Sequence, residues 1–314
     1  MTGYIVRRLL ATIPVLLLVG TGVFMLMKIT PGDPVGILLG DEATEERRQE
    51  VRDQLGLNDG ILTQYWNWFT DVLRGDLGDS IFLNQTVTSA LLDRAEPTIM
   101  LTILSTFVAL LVGLPLGIIA ARKRGTWIDV STMAVAIIGI SMPTFWLGLN
   151  LILFFAVRNR WLPVAGYSPL GEGLWDALRY MILPAITLGV AQAALLARIT
   201  RSMMLEVLNS DYVRTARAKG VGEFVVVMRH AFRNALLPII NIIGLIVAGL
   251  LGGAVVTEQI FNIPGIGRLL IQAVGRRDFP LIQGAVLVIA TIYVFVNLVV
   301  DIAATALDPR IRKG

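Results

Sequence analysis

Residues 211–238 read DYVRTARAKGVGEFVVVMRHAFRNALLP. This polar, basic stretch lies between two long apolar runs, in a chain whose mean hydropathy is +0.72. It has about the length of a helix–turn–helix unit and is too polar to cross a bilayer. Ser210 or Asp211 can cap a first helix, and 212–219 supplies about two turns. Gly220 suits the position just past a helix end, where a left-handed backbone is wanted. The pattern predicts a second helix over 223–234, with Pro238 opening the next apolar run. The first helix carries small residues (Thr215, Ala216) beside basic ones (Arg214, Arg217, Lys219). Small residues let a partner groove close on the backbone, and basic ones find acidic partners or lipid headgroups. Positive charge on an amphipathic cytoplasmic loop is the plainer reading of the same residues.

Working outward, 55% of the 314 residues are hydrophobic and 16% are charged. A soluble chain of this length carries more charge. Crossing about 30 Å of hydrocarbon takes about 20 helical residues. Six stretches qualify: 9–29, 98–121, 130–157, 181–204, 236–260 and 281–304. The first follows Arg7 and Arg8 as a signal peptide would. Its apolar core is too long for one, however, and no small-residue cleavage site follows. The expectation is an all-α integral membrane protein with six spans.

Lys and Arg cluster in one set of connecting segments: 7–8, 122–124, 198–233 and 310–313. The positive-inside rule makes these cytoplasmic, both termini included. The acidic stretch 30–96, with Asp41, Glu42, Glu45, Glu46 and Glu50, then lies outside, as do 158–180 and 262–280. Within 30–96, residues 44–55 read as a short helix capped by Thr44. The aromatic run 64–73 (QYWNWFTDVL) reads as an amphipathic helix lying in the interface, or as part of a docking surface.

No G-x-x-x-x-G-K-[ST] loop occurs, so nucleotide is not bound by that route. There is no cysteine, and His230 is the single histidine, so His/Cys metal or catalytic clusters are excluded. Glu258 and Asp301 fall near span ends, where snorkelling is cheap. Gln192 sits deeper, where an amide needs a partner from a neighbouring helix or from water in a path. Ser141 and Pro143, in a cluster of helix-breaking residues, join it as candidate path residues. No enzyme constellation is present. A carrier or channel acting alone and a membrane scaffold remain the other function classes at this point.

At the 211–238 loop the chain resembles the permease subunits of ATP-binding-cassette importers of the type I, binding-protein-dependent class. Their loop signature runs E-A-A, three residues, Gly, then hydrophobic-Leu-Pro. Ala216, Gly220 and Leu237-Pro238 match, whereas Arg214 and Thr215 stand where Glu-Ala would be and the Gly-to-Pro spacing is longer. Both departures resemble the dipeptide/oligopeptide/nickel branch, with its T-A-R-A-K-G (215–220) and R-N-A-L-L-P (233–238) strings. TPGDP (30–34), LRGDLG (73–78), SMPTFWLGL (141–149), LPVAGY (162–167), ILPAITLG (182–189), FNIPGIGRLL (261–270), RDFPLIQG (277–284) and LDPRIR (307–312) extend the likeness over the whole chain, toward the N-terminal-type permease of the pair.

The resemblance implies a second permease, two cytoplasmic ATPases that bind ATP and Mg, and an extracytoplasmic binding protein. The chain itself would bind no cofactor, metal or nucleic acid. Asp211, Arg214, Thr215, Ala216, Arg217, Lys219, Gly220, Arg233, Asn234, Leu237 and Pro238 would form the ATPase-coupling loop, about 205–235. The implied division is 1–97 for the first span and outer segment, 98–306 for the transmembrane domain and 307–314 for a cytoplasmic tail. Peptides are the implied cargo; nickel and glutathione are others the branch carries.

Overall fold

A computed structural model describes residues 2–29, 34–39, 43–54 and 56–307. Most of TPGDP and the tail 308–314 lie outside these residues. The described residues are helical and contain no strand, apart from one isolated antiparallel bridge, Asp79 to Thr86. In chain order the helices are α1 (Thr2–Ile29), α2 (Pro34–Leu39), α3 (Glu45–Gln54), α4 (Ile61–Leu73) and α5 (Val87–Leu92). Then come α6 (Ala95–Arg122), α7 (Trp127–Ser141), α8 (Thr144–Leu151, continued by a π-turn segment Ile152–Arg158) and α9 (Leu174–Leu208). The loop helices α10 (Asp211–Ala218) and α11 (Glu223–Val225) follow, and a π segment Val226–Phe232 leads into α12 (Arg233–Ile260). Helices α13 (Ile266–Arg276) and α14 (Phe279–Leu307) complete the described chain.

Among the described residues, five helical stretches are long and apolar enough to span a membrane: Arg7–Ile29, Val87–Arg122, Leu174–Leu208, Glu223–Ile260 and Phe279–Thr305. The sixth, expected as one helix over 130–157, is two helices bent by 98° between Ser141 and Thr144. The reason is local. Pro143 has no N–H to donate and clashes with a helical residue before it, and Met142 accordingly sits at φ −78, ψ 125.

Small residues hold the centre together. An added Cβ at Gly113 would meet the Ala193 carbonyl oxygen at 2.7 Å, and one at Gly117 would meet that of Ala197 at 2.6 Å. Gly189 approaches the Ser105 carbonyl in the same way, at 2.8 Å. The spacing is four residues on both α6 and α9, so one backbone lies in the other's groove, as small residues permit in hydrocarbon. Around this seam Leu101, Met181, Leu196, Met204, Ile239 and Leu250 are fully buried.

The outer segment is also tied to the bundle. Thr44 accepts from the Arg47 amide at 3.4 Å at the start of α3, as its sequence indicates. Helix α4 packs its aromatic face on α1: Phe24 meets the Tyr65 ring edge-on at 5.3 Å, and Tyr65 Oη hydrogen-bonds Thr21 Oγ1 at 2.8 Å. Trp66 alone of the two tryptophans stays largely exposed, at 63%.

Candidate functional site

The loop between α9 and α12 is built from its own chain first. Helix α10 begins after Ser210, which does not cap it through its side chain; Ser210 Oγ donates instead to the Val207 carbonyl at 2.6 Å. The helix ends where expected, with Gly220 at φ 75 donating its N–H to the Arg217 carbonyl. Val213 and Ala216 point inward and join a buried cluster with Met204, Leu208, Val226 and Val227. Ala216 was expected to offer a small face to a partner, yet the chain's own core uses it.

The polar residues divide into braces and free groups. Arg217 forks onto Glu223, with Nε to Oε2 at 3.1 Å and Nη2 to Oε1 at 2.9 Å. That hydrogen-bonded pairing raises the guanidinium further above its ordinary value. Asn234 Nδ2 donates to the Tyr212 hydroxyl at 2.9 Å and to the His230 carbonyl at 2.8 Å, and so joins α10 to the start of α12. Thr215 bonds back to the Asp211 carbonyl within α10. Arg214, Lys219 and Arg233 face solvent, and Arg214 makes a loose 3.5 Å pair with the exposed Asp211. Leu237 is half-buried and Pro238 is exposed.

The second helix of the loop differs from expectation. It does not stop before Pro238. A single α-helical turn passes into the π segment, and α12 continues through Pro238 to Ile260. A π segment holds one residue more per turn, so it re-aims the side chains that follow it. The loop also leaves large apolar side chains in the open: Tyr212 at 46%, Phe224 at 71%, Val225 at 40% and Met228 at 37%. The charges of the loop do not announce this apolar surface; its signal in the sequence is the FVVVM run (224–228) in a polar loop.

Of the three candidate path residues, Ser141 ends α7, Pro143 lies in the break before α8, and Gln192 is on α9. Ser141 and Pro143 are exposed at the α7–α8 break, and Gln192 is half-buried on α9. An added Cβ on Gly139 would meet the Ala194 Cβ at 3.1 Å, so these neighbourhoods abut. Gln192 makes no hydrogen bond among the described residues.

Two buried polar ties escaped the sequence reading. Asp129 on α7 is 3% exposed and takes Arg201 of α9 in both oxygens, at 2.5 and 2.7 Å, with the Gly125 amide at 3.0 Å. Glu258, expected to snorkel, is fully buried and bonded to Thr98 of α6 at 2.6 Å. Asp301 does sit part-exposed near its helix end, paired with Arg8 at 2.8 Å.

Comparison with known proteins places this architecture. Residues 113–313 match the family described as binding-protein-dependent transport system inner membrane component, and residues 1–102 match the N-terminal family of the same systems. The chain belongs to the binding-protein-dependent transport system inner membrane component family. It is a multi-pass permease subunit of an ABC importer, a transport component rather than an enzyme.

Among its relatives is a probable peptide ABC transporter permease protein of Sinorhizobium fredii, 45% identical over 309 residues, covering 98% of this chain and 99% of that one. A putative peptide transport system permease protein of Brucella abortus is 43% identical over 312 residues, 99% of each. The glutathione transport system permease protein GsiC of Salmonella choleraesuis is 43% identical over 312 residues, again 99% of each. The fold is also that of a solved chain of the MetNI methionine ABC transporter in inward-facing form. The TM-score is 0.56 at 21% identity, over 70% of this chain and 97% of that one.

Proposed function

We propose that this permease forms, with a second homologous permease, the path by which peptides enter the cell, and that residues 205–235 are its coupling loop. Two ATP-binding subunits would hold ATP and Mg and close on the loop, and a binding protein outside would deliver cargo. The observation that supports the coupling role most is the exposed apolar surface of the loop, Phe224 above all. The loop's own core is already complete, so that surface serves a second chain. Family-wide precedent for paired permeases and ATPases supports the remaining partners, and relatives with peptide names support the cargo. A second reading, the same machine importing glutathione, draws on the Salmonella relative. The division at residues 97 and 98 and the placing of both termini and the loop in the cytoplasm complete the proposal.

The test is assembly and uptake. The four-subunit complex with its binding protein, reconstituted in vesicles, imports tri-alanine in preference to glutathione, and this chain alone imports neither. Phe224→Asp leaves the chain in the membrane but lowers recovery of the ATPase subunits about tenfold. Recovery equal to wild type would remove the loop from the interface. For orientation, a cysteine replacing Asp53 is labelled by an impermeant thiol reagent in intact cells, and one replacing Lys219 is not. The reverse pattern would invert the topology.

A further inference from the structure

Helix α13 begins without a capping side chain of its own, because Gly265 occupies the cap position. The first amides of a helix have no partner within it. Here two other helices supply them. The Ile266 amide donates to Thr98 Oγ1 of α6 at 2.9 Å, and the Arg268 amide donates to Glu258 Oε2 of α12 at 2.8 Å. Thr98 Oγ1 in turn donates to Glu258 Oε1 at 2.6 Å, so the three groups form one closed network.

Glu258 is 0% exposed and Thr98 4%. A carboxyl group in such a place is strongly disfavoured unless hydrogen bonds replace the water it has lost, and the positive end of a helix dipole adds to them. The neighbouring sequence makes room for it. A Cβ on Gly265 would fall 2.2 Å from Glu258 Cδ, and one on Gly267 would fall 2.8 Å from Val255 Cα. The glycines of IPGIG thus allow the start of α13 to close over the carboxyl group.

We propose that Glu258, acting through Thr98, is a positioning residue for transport: it latches the start of α13 to α6 and α12, so that this end of the permease moves as one body while cargo passes. The inference rests on the transport reading above. A cap whose role were only to hold the fold would affect stability and nothing else. A latch that transmits motion also sets how much cargo moves per ATP hydrolysed.

The assembled importer in nanodiscs and in vesicles carries the test. Amide exchange over 266–268 needs no cargo, and imported tri-alanine per ATP hydrolysed reads the coupling. Thr98→Val keeps the side-chain shape without the hydroxyl, Glu258→Met removes the acceptors at similar size, and Thr98→Ser retains the bond. Thr98→Val and Glu258→Met are expected to raise exchange at least tenfold and to lower cargo per ATP several-fold, with the ATPase subunits still bound. Thr98→Ser is expected to match wild type in both. Unchanged exchange in Thr98→Val would overturn the latch, as would raised exchange with cargo per ATP unchanged. A wild-type complex that imports no peptide defeats the cargo reading alone. The latch is then decided by the same exchange comparison together with glutathione imported per ATP: Thr98→Val must loosen 266–268 and lower that ratio, and Thr98→Ser must do neither.

Discussion

The end of the molecule that carries the 205–235 loop and the end that carries α13 solve opposite problems. Around α13 the buried acids are met within the chain, although Arg268 Nε and Thr257 Oγ1 are buried without a hydrogen-bond partner. Glu258 is met by Thr98 and backbone amides, and Asp278 accepts from Ser80 Oγ and caps α14 through the Leu281 amide. At the loop end the core closes beneath α10, and yet Tyr212, Phe224 and Met228 remain in the open. Apolar exposure does not separate the ends, because Ile271 and Val274 of α13 stand open at 42% and 56%; what separates them is how their polar groups are met. The contrast is one of polar chemistry: at the α13 end carboxyl groups are buried and bonded between helices, whereas on the loop surface Arg214 and Asp211 stand exposed in a loose 3.5 Å pair.

The strongest challenge to that contrast comes from the loop end itself. Asp129 and Arg201 lie there, and they are paired internally rather than left for a partner. Removing one member of a buried pair strands the other, at about 3–5 kcal/mol when both are deeply buried. Arg201 retains 26% exposure, so Asp129→Ala is expected to cost about 3 kcal/mol, the low end of that range. Thermal unfolding of the purified chain in detergent measures it. A loss under about 1 kcal/mol would mean that the pair is a surface contact, worth what such contacts usually are.

At the opposite end, Gly265→Ala puts a methyl group where the Glu258 carboxyl lies, at 2.2 Å. The side chain has to leave its donors or α13 has to lift. Overpacking of this kind costs about 1–3 kcal/mol, and about 2 kcal/mol is expected by the same unfolding assay. Gly265→Ala combined with Thr98→Val should then cost less than the sum of the two, because both disrupt one network. Additive losses would show that the network is not closed.

These sites also show how far the sequence was legible. Spans are long apolar runs fitted to the bilayer thickness, so five of six could be read from composition, and Gly220 could be read from helix-end chemistry. The break at Met142–Pro143 stood in the sequence as a proline, but the apolar run continues across it and conceals two helices as one. Pro238 misled in the other direction: a leucine-proline pair looks like a helix start, whereas the helix that begins before it runs through to Ile260. Glu258 could not be placed at all. Its partner Thr98 is 160 positions away, and an acid near a span end is as compatible with snorkelling as with burial until that contact exists. Ala216 and Arg217 were seen as loop residues, but which of them turned inward depended on packing against Met204 and Leu208, set by the three-dimensional fold.

A milder change sharpens the loop side. Gly220 has φ 75 and nothing within 4 Å of a hypothetical Cβ, so a substitution there meets backbone strain and no clash. Valine is expected to cost about 1–2 kcal/mol. Asparagine, which tolerates the left-handed region, should cost less than half of that. Because the space is open, the effect should appear as looser ATPase attachment in Gly220→Val and near-normal attachment in Gly220→Asn. Equal losses in both would point to a partner that touches the glycine itself.

The smallest effect is expected at Gln192, which belongs to neither end. It is half-buried beside the α6–α9 seam and has no hydrogen-bond partner among the described residues. An amide with no partner in hydrocarbon is disfavoured, and on the proposed function it would be supplied either by the second permease or by water in a path. Gln192→Cys removes the amide, and stability should change by under about 1 kcal/mol, because no internal bond is lost. The informative readout is chemical. The chain has no cysteine of its own, so a small water-soluble thiol reagent reports on position 192 alone. In the assembled importer the cysteine is expected to react, and to react at a different rate when ATP is bound than when nucleotide is absent. A cysteine inert in both states, in a complex that still transports, would place Gln192 in a dry contact with the second permease. The path would then have to be sought nearer Ser141 and Pro143, where the broken helix exposes its ends.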